Sequence, residues 1–369
     1  MRTAVVILNW NTARYLEQFL PALVGSMPAD AEVIVADSAS TDGSMDMLSE
    51  KFPSVRQIRL DRNYGFTGGY NRAFKAVCAL PEAADLDYFL LINSDIEVPP
   101  GWLEPLVAWM DGHPDCAACG PKLRSYFQKD TFEYAGAAGG RLDRFGFPFC
   151  RGRVLRRVER DNGQYDSPAD VLWVTGACLL VRKSAYEAMG GLDGRFFAHM
   201  EEIDLCWRLQ LEGCKVTVVP QSVVYHLGGG TLPNDSPWKL RLNYRNNLLL
   251  LENNLAKTYA LRLLGAGRPP EETARKACRS AKRTLFLRQA LDGCSALVYL
   301  LTGKFDYVRS VREAHREFRK LRRGIRLPAV REYAARHRTV APPEIYSRWI
   351  VPLAFLKKEG IFEYLRKTS

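Results

Sequence analysis

Four short apolar runs alternate with helical patterns through the first hundred residues, and each run closes on polar residues. Thr3 to Asn9, Glu32 to Ala36, Val55 to Leu60 and Tyr88 to Asn93 read as strands. Between them lie a helix with Tyr15, Leu16, Phe19, Leu20 and Leu23 on one face, a second from Ser44 to Lys51, and a third from Tyr70 to Leu80. Strands that alternate with helices form parallel βαβ units buried on both faces. In such sheets the binding crevice lies beyond the carboxyl ends of the strands. Asn9 and Asn11, Asp37, Asn63, and Asn93 to Asp95 all fall there.

Beyond the fourth run the rhythm loosens. Cys116 to Pro168 holds several glycines and a basic cluster, and it reads as loops and short strands shaping one wall of a cleft. Val171 to Arg182 reads as a further strand, Ser184 to Met189 and Asp204 to Glu212 as helices, and Lys215 to Val219 as a strand ended by Pro220. From Trp238 the pattern is helical, with a Gly/Pro break from Gly265 to Pro270. The chain therefore divides into a catalytic part, residues 1–237, and a helical part, residues 238–369.

Charge follows the same division. The chain carries 52 Lys and Arg against 41 Asp and Glu, a net +11. From Lys239 onward there are 29 basic and 11 acidic residues, so all of the positive excess sits in the last third. Such a tail suits an anionic partner, nucleic acid or an acidic membrane surface. It lacks a recognisable RNA or DNA module, which argues against nucleic acid. Val308 to Arg326 mixes Arg and Lys with Val, Phe and Leu, the composition of an interfacial helix. Contacts with the catalytic part or with a second copy in a homodimer are the competing uses.

The nine cysteines follow no disulfide rhythm, and the single Cys116-x-x-Cys119 pair reads as small core residues of a strand. Ala4 to Leu8 is too short for a secretory signal. Ser295 to Leu301, the best apolar stretch of the tail, is hemmed by Arg288, Asp292 and Lys304. These features point to a cytoplasmic protein, peripheral to the inner face of the membrane if the tail binds lipid.

Five segments have residue types suited to chemistry. Asp95 ends a buried strand, where one or two protein oxygens commonly hold Mg²⁺ or Mn²⁺ against a diphosphate; Asn93, Ser94 and Asp95 also suit a capped turn. Asp37 ends another strand and has the acceptor oxygens to take the imino N–H of a pyrimidine base. Arg62 to Asn71 is rich in glycine and leads into a helix, so its backbone can approach an anion closely. Phe196 to Asp204 brings Glu201, Glu202 and Asp204 to a helix start. The macrodipole alone would favour them there, but the apolar neighbours would raise a carboxyl pKa towards general-base work. His226 ends a strand before Gly228, Gly229 and Gly230.

In order along the chain, ILNWN, ADSASTDGS, RNYGFTGGYNRAF, LLINSD, VTGACLLVRKSAY, GGLDGRFFAHMEEIDLCWR and VVYHLGGGT resemble the family 2 inverting glycosyltransferases. The likeness is strongest to the rhamnosyltransferase-like branch of bacterial polysaccharide assembly. It covers Thr3 to Thr231, with a looser match through Arg245-Asn246. It implies an α/β nucleotide-binding sandwich of the glycosyltransferase A type, with a mostly parallel central sheet and the basic α-helical region appended.

The resemblance also implies roles. Asp37 and Asn63 would hold the nucleotide, with Asn9, Asn11, Gly69 and Ser94 near it. Asp95 and His226 would hold Mg²⁺ or Mn²⁺, and Glu202 would be the catalytic base. Trp173, Glu201 and Asp204 would be acceptor-side or accessory neighbours. The partners would be a nucleotide-diphosphate sugar and a glycan or lipid-linked acceptor. Two departures stand out: the metal motif opens with Asn93 instead of Asp, and Glu202 is one methylene longer than the usual Asp. A sugar-phosphate nucleotidyltransferase shares the general plan, but it needs a Gly-rich basic loop after the first strand, where this chain has Asn9-Trp10-Asn11-Thr12.

Overall fold

A computed structural model describes residues 1–228 and 236–368. The opening alternation is present as β1 (Thr3–Asn9), α1 (Ala13–Gly25), β2 (Ala31–Asp37), α2 (Ser44–Lys51), β3 (Arg56–Arg59), α3 (Gly65–Cys78) and β4 (Tyr88–Ile92). β1 pairs in parallel with both β2 and β4, and β2 with β3. Val, Ile, Leu and Ala fill most of β1, β2 and β4 because both faces are covered, and the five residues of β4 are all buried.

The sheet continues through β5 (Ile96–Glu97), α4 (Glu104–Gly112) and β6 (Cys116–Ser125), a ten-residue strand whose first eight residues are buried. Cys116 and Cys119 lie in its core as free thiols. Four short strands, β7 (Gly140–Leu142), β8 (Pro148–Cys150), β9 (Arg153–Val154) and β10 (Arg157–Val158), make a separate antiparallel sheet. Then follow β11 (Ala169–Asp170), β12 (Cys178–Arg182), α5 (Lys183–Ala188), α6 (Glu201–Leu211) and β13 (Lys215–His226). The large sheet has the order β11-β13-β6-β12-β4-β1-β2-β3, with β5 on β13. β12 runs antiparallel between β4 and β6, and β13 runs parallel to β6. The architecture is a mixed, mostly parallel sheet of the glycosyltransferase A type. The carboxyl ends of β1, β2, β4, β6 and β13 share one edge.

Three boundaries differ from the sequence reading. α3 begins at Gly65, so the glycine-rich segment forms the first turns of the helix instead of a loop before it. Residues 171–177 are not strand, and Trp173 only bridges Gly140 before β12 begins. β13 passes through Pro220 to His226 because its register shifts against β6 between Val219 and Val223, and a bulge accommodates a residue that cannot donate.

The helical part comprises α7 (Pro237–Gly265), α8 (Pro270–Leu301), α9 (Phe305–Leu321), α10 (Leu327–Arg336), α11 (Ile350–Leu356) and α12 (Ile361–Thr368). α7 is its hub and packs on α6, α8, α9 and α10. Leu248 to Leu251 join the same core as Ala4, Phe74 and Trp207. The final helices clasp the small sheet, where Ile350, Ala354 and Ile361 pack on Phe149 and Val154. The apolar side of α9, with Val311, Ala314 and Phe318, is buried against its neighbours. The segment Val308 to Arg326 therefore has no free apolar face to offer a membrane. No helix among the described residues is long and apolar enough to cross a bilayer.

Candidate active site

At the ends of β1 and β2 a small network stands on Asn9, which is fully buried. Its Nδ2 donates to Asp37 Oδ1 (2.7 Å), Ser44 Oγ (2.8 Å) and Ser40 Oγ (3.1 Å), and its Oδ1 accepts from Thr12 Oγ1 (2.5 Å). Asn9 thus holds Asp37 in place, and its own amide is fully engaged. Asp37 also accepts the Ser40 N–H (3.0 Å), so the β2–α2 loop folds back over the strand ends. Asn11, at φ 55°, accepts the Thr41 N–H (2.8 Å) and lies exposed on the same rim. Asp42 caps two helices together, accepting from Ala13 N (2.8 Å) and Ser44 N (3.1 Å).

Asn63 Oδ1 accepts the Gly65 N–H (2.7 Å) and so starts α3. The two key glycines make room for protein. A Cβ at Gly65, which has φ +69°, would meet Phe197 at 2.6 Å, and one at Gly69 would meet the Leu8 side chain at 2.6 Å. Gly69 therefore seats α3 against β1, while Gly65 seats it against the loop before α6. Thr67 N donates to Phe197 O (3.1 Å), tying the two segments together.

β5 pairs with the end of β13, which sets His226 opposite Ile96 and brings Asp95 beside the imidazole. His226 Nε2 lies 3.2 Å from Asp95 Oδ1, and Nδ1 lies 3.4 Å from Glu133 Oε2 without hydrogen-bond geometry. All three groups are buried. Burial opposes the charge on His226, but the two carboxylates outweigh it and raise the imidazole to about 10. Burial likewise opposes ionisation of Asp95, and the His226 contact more than offsets it, leaving the carboxyl below its usual range. Glu133 is absent from the sequence reading. It stands alone in an irregular stretch, and only the β6–β13 pairing brings it to His226; its one sequence signal is a carboxylate amid Gly and Ala. Ser94 is buried next to Asp95. Gly228 is left-handed, with Glu133 close by, whereas Gly229 and Gly230 lie outside the described residues.

The segment before α6 is bent sharply: Phe197, His199 and Met200 all have φ between 66° and 70°. Such a conformation is costly for residues with side chains and persists only when neighbours impose it. Asn246 on α7 does so, its Nδ2 donating to the carbonyls of Phe196 (3.0 Å), Ala198 (2.7 Å) and His199 (2.7 Å). Arg245 adds a bond to Phe196 O (2.6 Å). The bend delivers Glu201 and Glu202 to the first turn of α6.

Glu201 is buried and Glu202 half-buried, and each has one oxygen without a hydrogen-bond partner among the described residues. Burial pushes Glu202 up to about 7, against backbone hydrogen bonds that include Gly176. Burial and the neighbouring Glu202 charge hold Glu201 well above the usual range. Burial and the Lys239 charge depress His199 to about 4, so it is neutral. The Glu202 pocket adjoins the end of β4: Gly176 contacts Glu202, and Ala177 O accepts the Asn93 N–H (2.9 Å). The base candidate and the Asp95–His226 pair therefore share one edge of the sheet.

Asp204 and Trp173 face elsewhere. Asp204 is fully buried, accepting from Arg208 Nε (2.7 Å) and from Asn253 and Asn254 (2.9 Å each), so it bonds α6 to α7. Trp173 packs over Gly140 and donates to Arg141 O (3.2 Å) in the core. Beside Phe197 opens a cleft of about 480 Å³ between α7 and α9, with Trp238, Leu242 and Leu321 as apolar walls and Arg241, Arg245, Glu317 and Lys320 as polar ones.

Asn246→Leu should take the side-chain donor from the Ala198 and His199 carbonyls, leave Phe196 O to Arg245 and the Ala198 N–H, and let the bend relax. Displacing a reacting group by about 1 Å costs on the order of 10²-fold, so kcat should fall by roughly that factor while donor affinity stays near normal. Steady-state kinetics alongside donor titration would check it; unchanged kcat would show that the bend stands without Asn246.

Comparison with known proteins agrees with this fold. A solved structure of GalNAc-T7 with UDP, GalNAc and Mn²⁺ superposes with a TM-score of 0.52 at 19% identity, covering 73% of this chain and 52% of that one. That likeness is one of fold. In sequence, the chain is 28% identical over 258 residues to the N-acetylglucosaminyl-diphospho-decaprenol L-rhamnosyltransferase of Mycobacterium tuberculosis, covering 67% of this chain and 83% of the relative. It is also 28% identical over 213 residues to the rhamnosyltransferase WbbL of Escherichia coli K12, covering 57% of this chain and 79% of that relative. The profile of glycosyl transferase family 2 matches residues 4–190, half of the chain and the whole of the sheet edge from Asn9 to Asp95; the chain belongs to that family and is a glycosyltransferase.

Proposed function

We propose that the enzyme moves a deoxyhexose or hexose from a nucleotide-diphosphate donor to a hydroxyl of a lipid-linked or growing glycan, with inversion. The observation that carries this reading is Glu202: a half-buried carboxylate held near pKa 7 on the same sheet edge as Asp37 and the Asp95–His226 pair. The rhamnosyltransferase names of two relatives support the sugar class, and the diphospho-decaprenol in one of them supports the acceptor class.

In this reading the nucleotide lies over the ends of β1 and β2, with its base against Asp37 and its ribose towards the Asn11 and Asn63 rim. Glu202 takes the proton of the acceptor hydroxyl. That oxygen bonds to the anomeric carbon from the face opposite the diphosphate, and the bond from the anomeric carbon to the diphosphate oxygen breaks. Burial and the Glu202 charge hold the Glu201 carboxyl well above the usual range, which disfavours two charges on the pair. The cleft beside Phe197 suits the acceptor: Trp238 and Leu242 offer apolar contact, and Lys320 offers charge to a phosphate beside Arg241 and Arg245, which pair with Glu313 and Glu317.

The residues fit a divalent cation. Asp95 Oδ1 and His226 Nε2 converge to 3.2 Å, an oxygen and a nitrogen that would hold Mg²⁺ or Mn²⁺ once the cation displaced the Nε2 proton, and Glu133 stands 3.4 Å from Nδ1 on the far side of the ring. No group of three or more candidate ligand side chains occurs among the described residues, so the donor's diphosphate would complete the coordination. A bound cation would offset the negative charge that builds on the departing diphosphate.

The test is a panel of uridine-, thymidine- and guanosine-diphosphate sugars with Mn²⁺, Mg²⁺ or chelator, read by nucleoside-diphosphate release and by the anomeric configuration of the product. One donor should turn over, with activity lost in chelator and regained with Mn²⁺ or Mg²⁺. A product of retained configuration, or no donor bound by folded protein, would overturn the reading.

A further inference from the structure

α8 changes character halfway along its outer side. Its first half exposes Arg275, Lys276, Arg279, Lys282 and Arg283. From Phe286 to Gly303 every exposed residue is uncharged. Phe286 is 69% exposed, Leu297 55%, Val298 57% and Leu301 77%, and Phe305 at the start of α9 is 68% exposed. The only two charges within that interval, Arg288 and Asp292, are buried and paired with each other at 2.9 Å. Exposed Lys304, Arg309 and Arg312 follow, with the exposed carboxylate Asp306 among them and Arg309 paired to Glu313. The opposite side of α8 packs on α7, α9 and α10.

The result is an apolar strip about 24 Å long on the outside of the molecule, flanked at both ends by surface in which Lys and Arg outnumber the exposed carboxylates Glu271, Glu272 and Asp306. Isolated exposed apolar residues are ordinary, but a contiguous strip of this kind marks an interaction surface. Charge decides the occupant. In a symmetric pairing of two copies over the strip, a parallel arrangement sets each basic half against its twin. An antiparallel arrangement sets Lys282 and Arg283 against Lys304, Arg309 and Arg312. Both bring cation to cation. An anionic bilayer surface satisfies both features at once, taking the apolar side chains at the headgroup boundary and the Lys and Arg at its phosphates.

We infer that the second half of α8 and the α8–α9 corner form a membrane seat that partly inserts into an anionic leaflet. The seat goes beyond the proposed transfer reaction and is measurable without any sugar substrate. It also has a geometric consequence. Tyr299 of the strip meets Tyr244 of α7 (3.5 Å between hydroxyl oxygens), and the same first turns of α7 contribute Trp238 and Arg241 to the cleft. A lipid-held phosphate would thus reach the cleft from the seated side.

The experiment is flotation of the full chain with phosphatidylcholine vesicles, with and without phosphatidylglycerol. Binding should require phosphatidylglycerol and weaken with salt. Leu297→Glu with Leu301→Glu, both on exposed positions, should abolish it. Arg279→Gln, Lys282→Gln and Arg283→Gln together should weaken it about a hundredfold, at about fivefold per cation. Circular dichroism melts and donor hydrolysis should stay unchanged in both variants. Absence of binding to acidic vesicles overturns the seat, and so does binding that survives the Leu297 and Leu301 changes. A wild-type dimer that those changes dissociate, with no vesicle binding, would instead make the strip a contact between copies.

Discussion

Glu202→Gln is expected to lower kcat by about 10²- to 10⁴-fold, the usual range for loss of a general base, while donor affinity stays close to that of the parent. The amide keeps the shape of the carboxyl and its contact with Gly176 but cannot take a proton. In the proposed arrangement donor affinity rests on groups at the ends of β1, β2 and β4, which this change does not touch. Single-turnover kinetics with isothermal titration of the donor would separate the two effects. Turnover near normal would remove Glu202 from the chemistry and leave Glu201 as the nearest carboxylate.

The same substitution has a pH signature. With Glu202 near 7, kcat/KM should fall about tenfold per unit as pH drops below that value, and the variant should lose this limb. Stability should move the opposite way. An unfolded glutamate titrates near 4.5, so between pH 4.5 and about 7 the folded state binds the extra proton. The stability associated with that proton is full below 4.5 and is lost as pH rises through 7. Above pH 7 the parent carries a carboxylate that its site disfavours, and the glutamine variant should be the more stable protein, by about 1–3 kcal/mol. Thermal melts at pH 5 and pH 8 would show it; an equal difference at both would mean that Glu202 is not perturbed.

Strands that are buried on both faces announce themselves, because only Val, Ile, Leu and small residues fit there. β1, β2 and β4 were therefore legible to within a residue or so, together with the polar groups at their ends. Elements defined by a distant partner were not. The glycines of α3 suggest a loop by propensity, but they are present because Leu8 and Phe197 occupy the space of a side chain. Pro220 reads as a strand end, yet a bulge carries β13 six residues further to His226. Periodicity found the apolar side of α9, but α7 and α8 cover it, while the exposed apolar strip lies on α8, whose outer side no periodicity distinguishes from its inner one. Among site residues, the carboxylates of Phe196 to Asp204 were legible as a group. Their division was not, since Asp204 turns to Asn253 and Asn254 and only the α6–α7 packing shows it. Glu133 was invisible for the same reason, and Asn246 was legible only as the looser end of the family likeness, without its role: each acts through a residue or backbone segment far away in the chain.

Asp95→Asn is the second large effect expected, a fall in kcat of about 10³-fold or more that added metal does not restore. Asp95 is the single carboxylate of the proposed cation site, because Asn93 stands where a second would be, and a neutral amide in its place leaves His226 as the remaining protein ligand. Loss of one preorganised electrostatic group at a developing charge typically costs 10²- to 10³-fold, and here the same change also weakens the cation itself. Glu133→Gln should behave differently. Glu133 lies behind His226 at 3.4 Å, so its loss leaves both proposed ligands in place but frees the imidazole to rotate. Changes to such outer partners typically cost about 10- to 100-fold in metal affinity or activity. Raising Mn²⁺ should therefore return most of the Glu133→Gln turnover and little of the Asp95→Asn turnover. Metal titrations of both variants at saturating donor would decide it. Equal rescue would show that Asp95 is not a ligand, and no rescue of either, with donor binding intact, would place the leaving-group charge on protein cations instead.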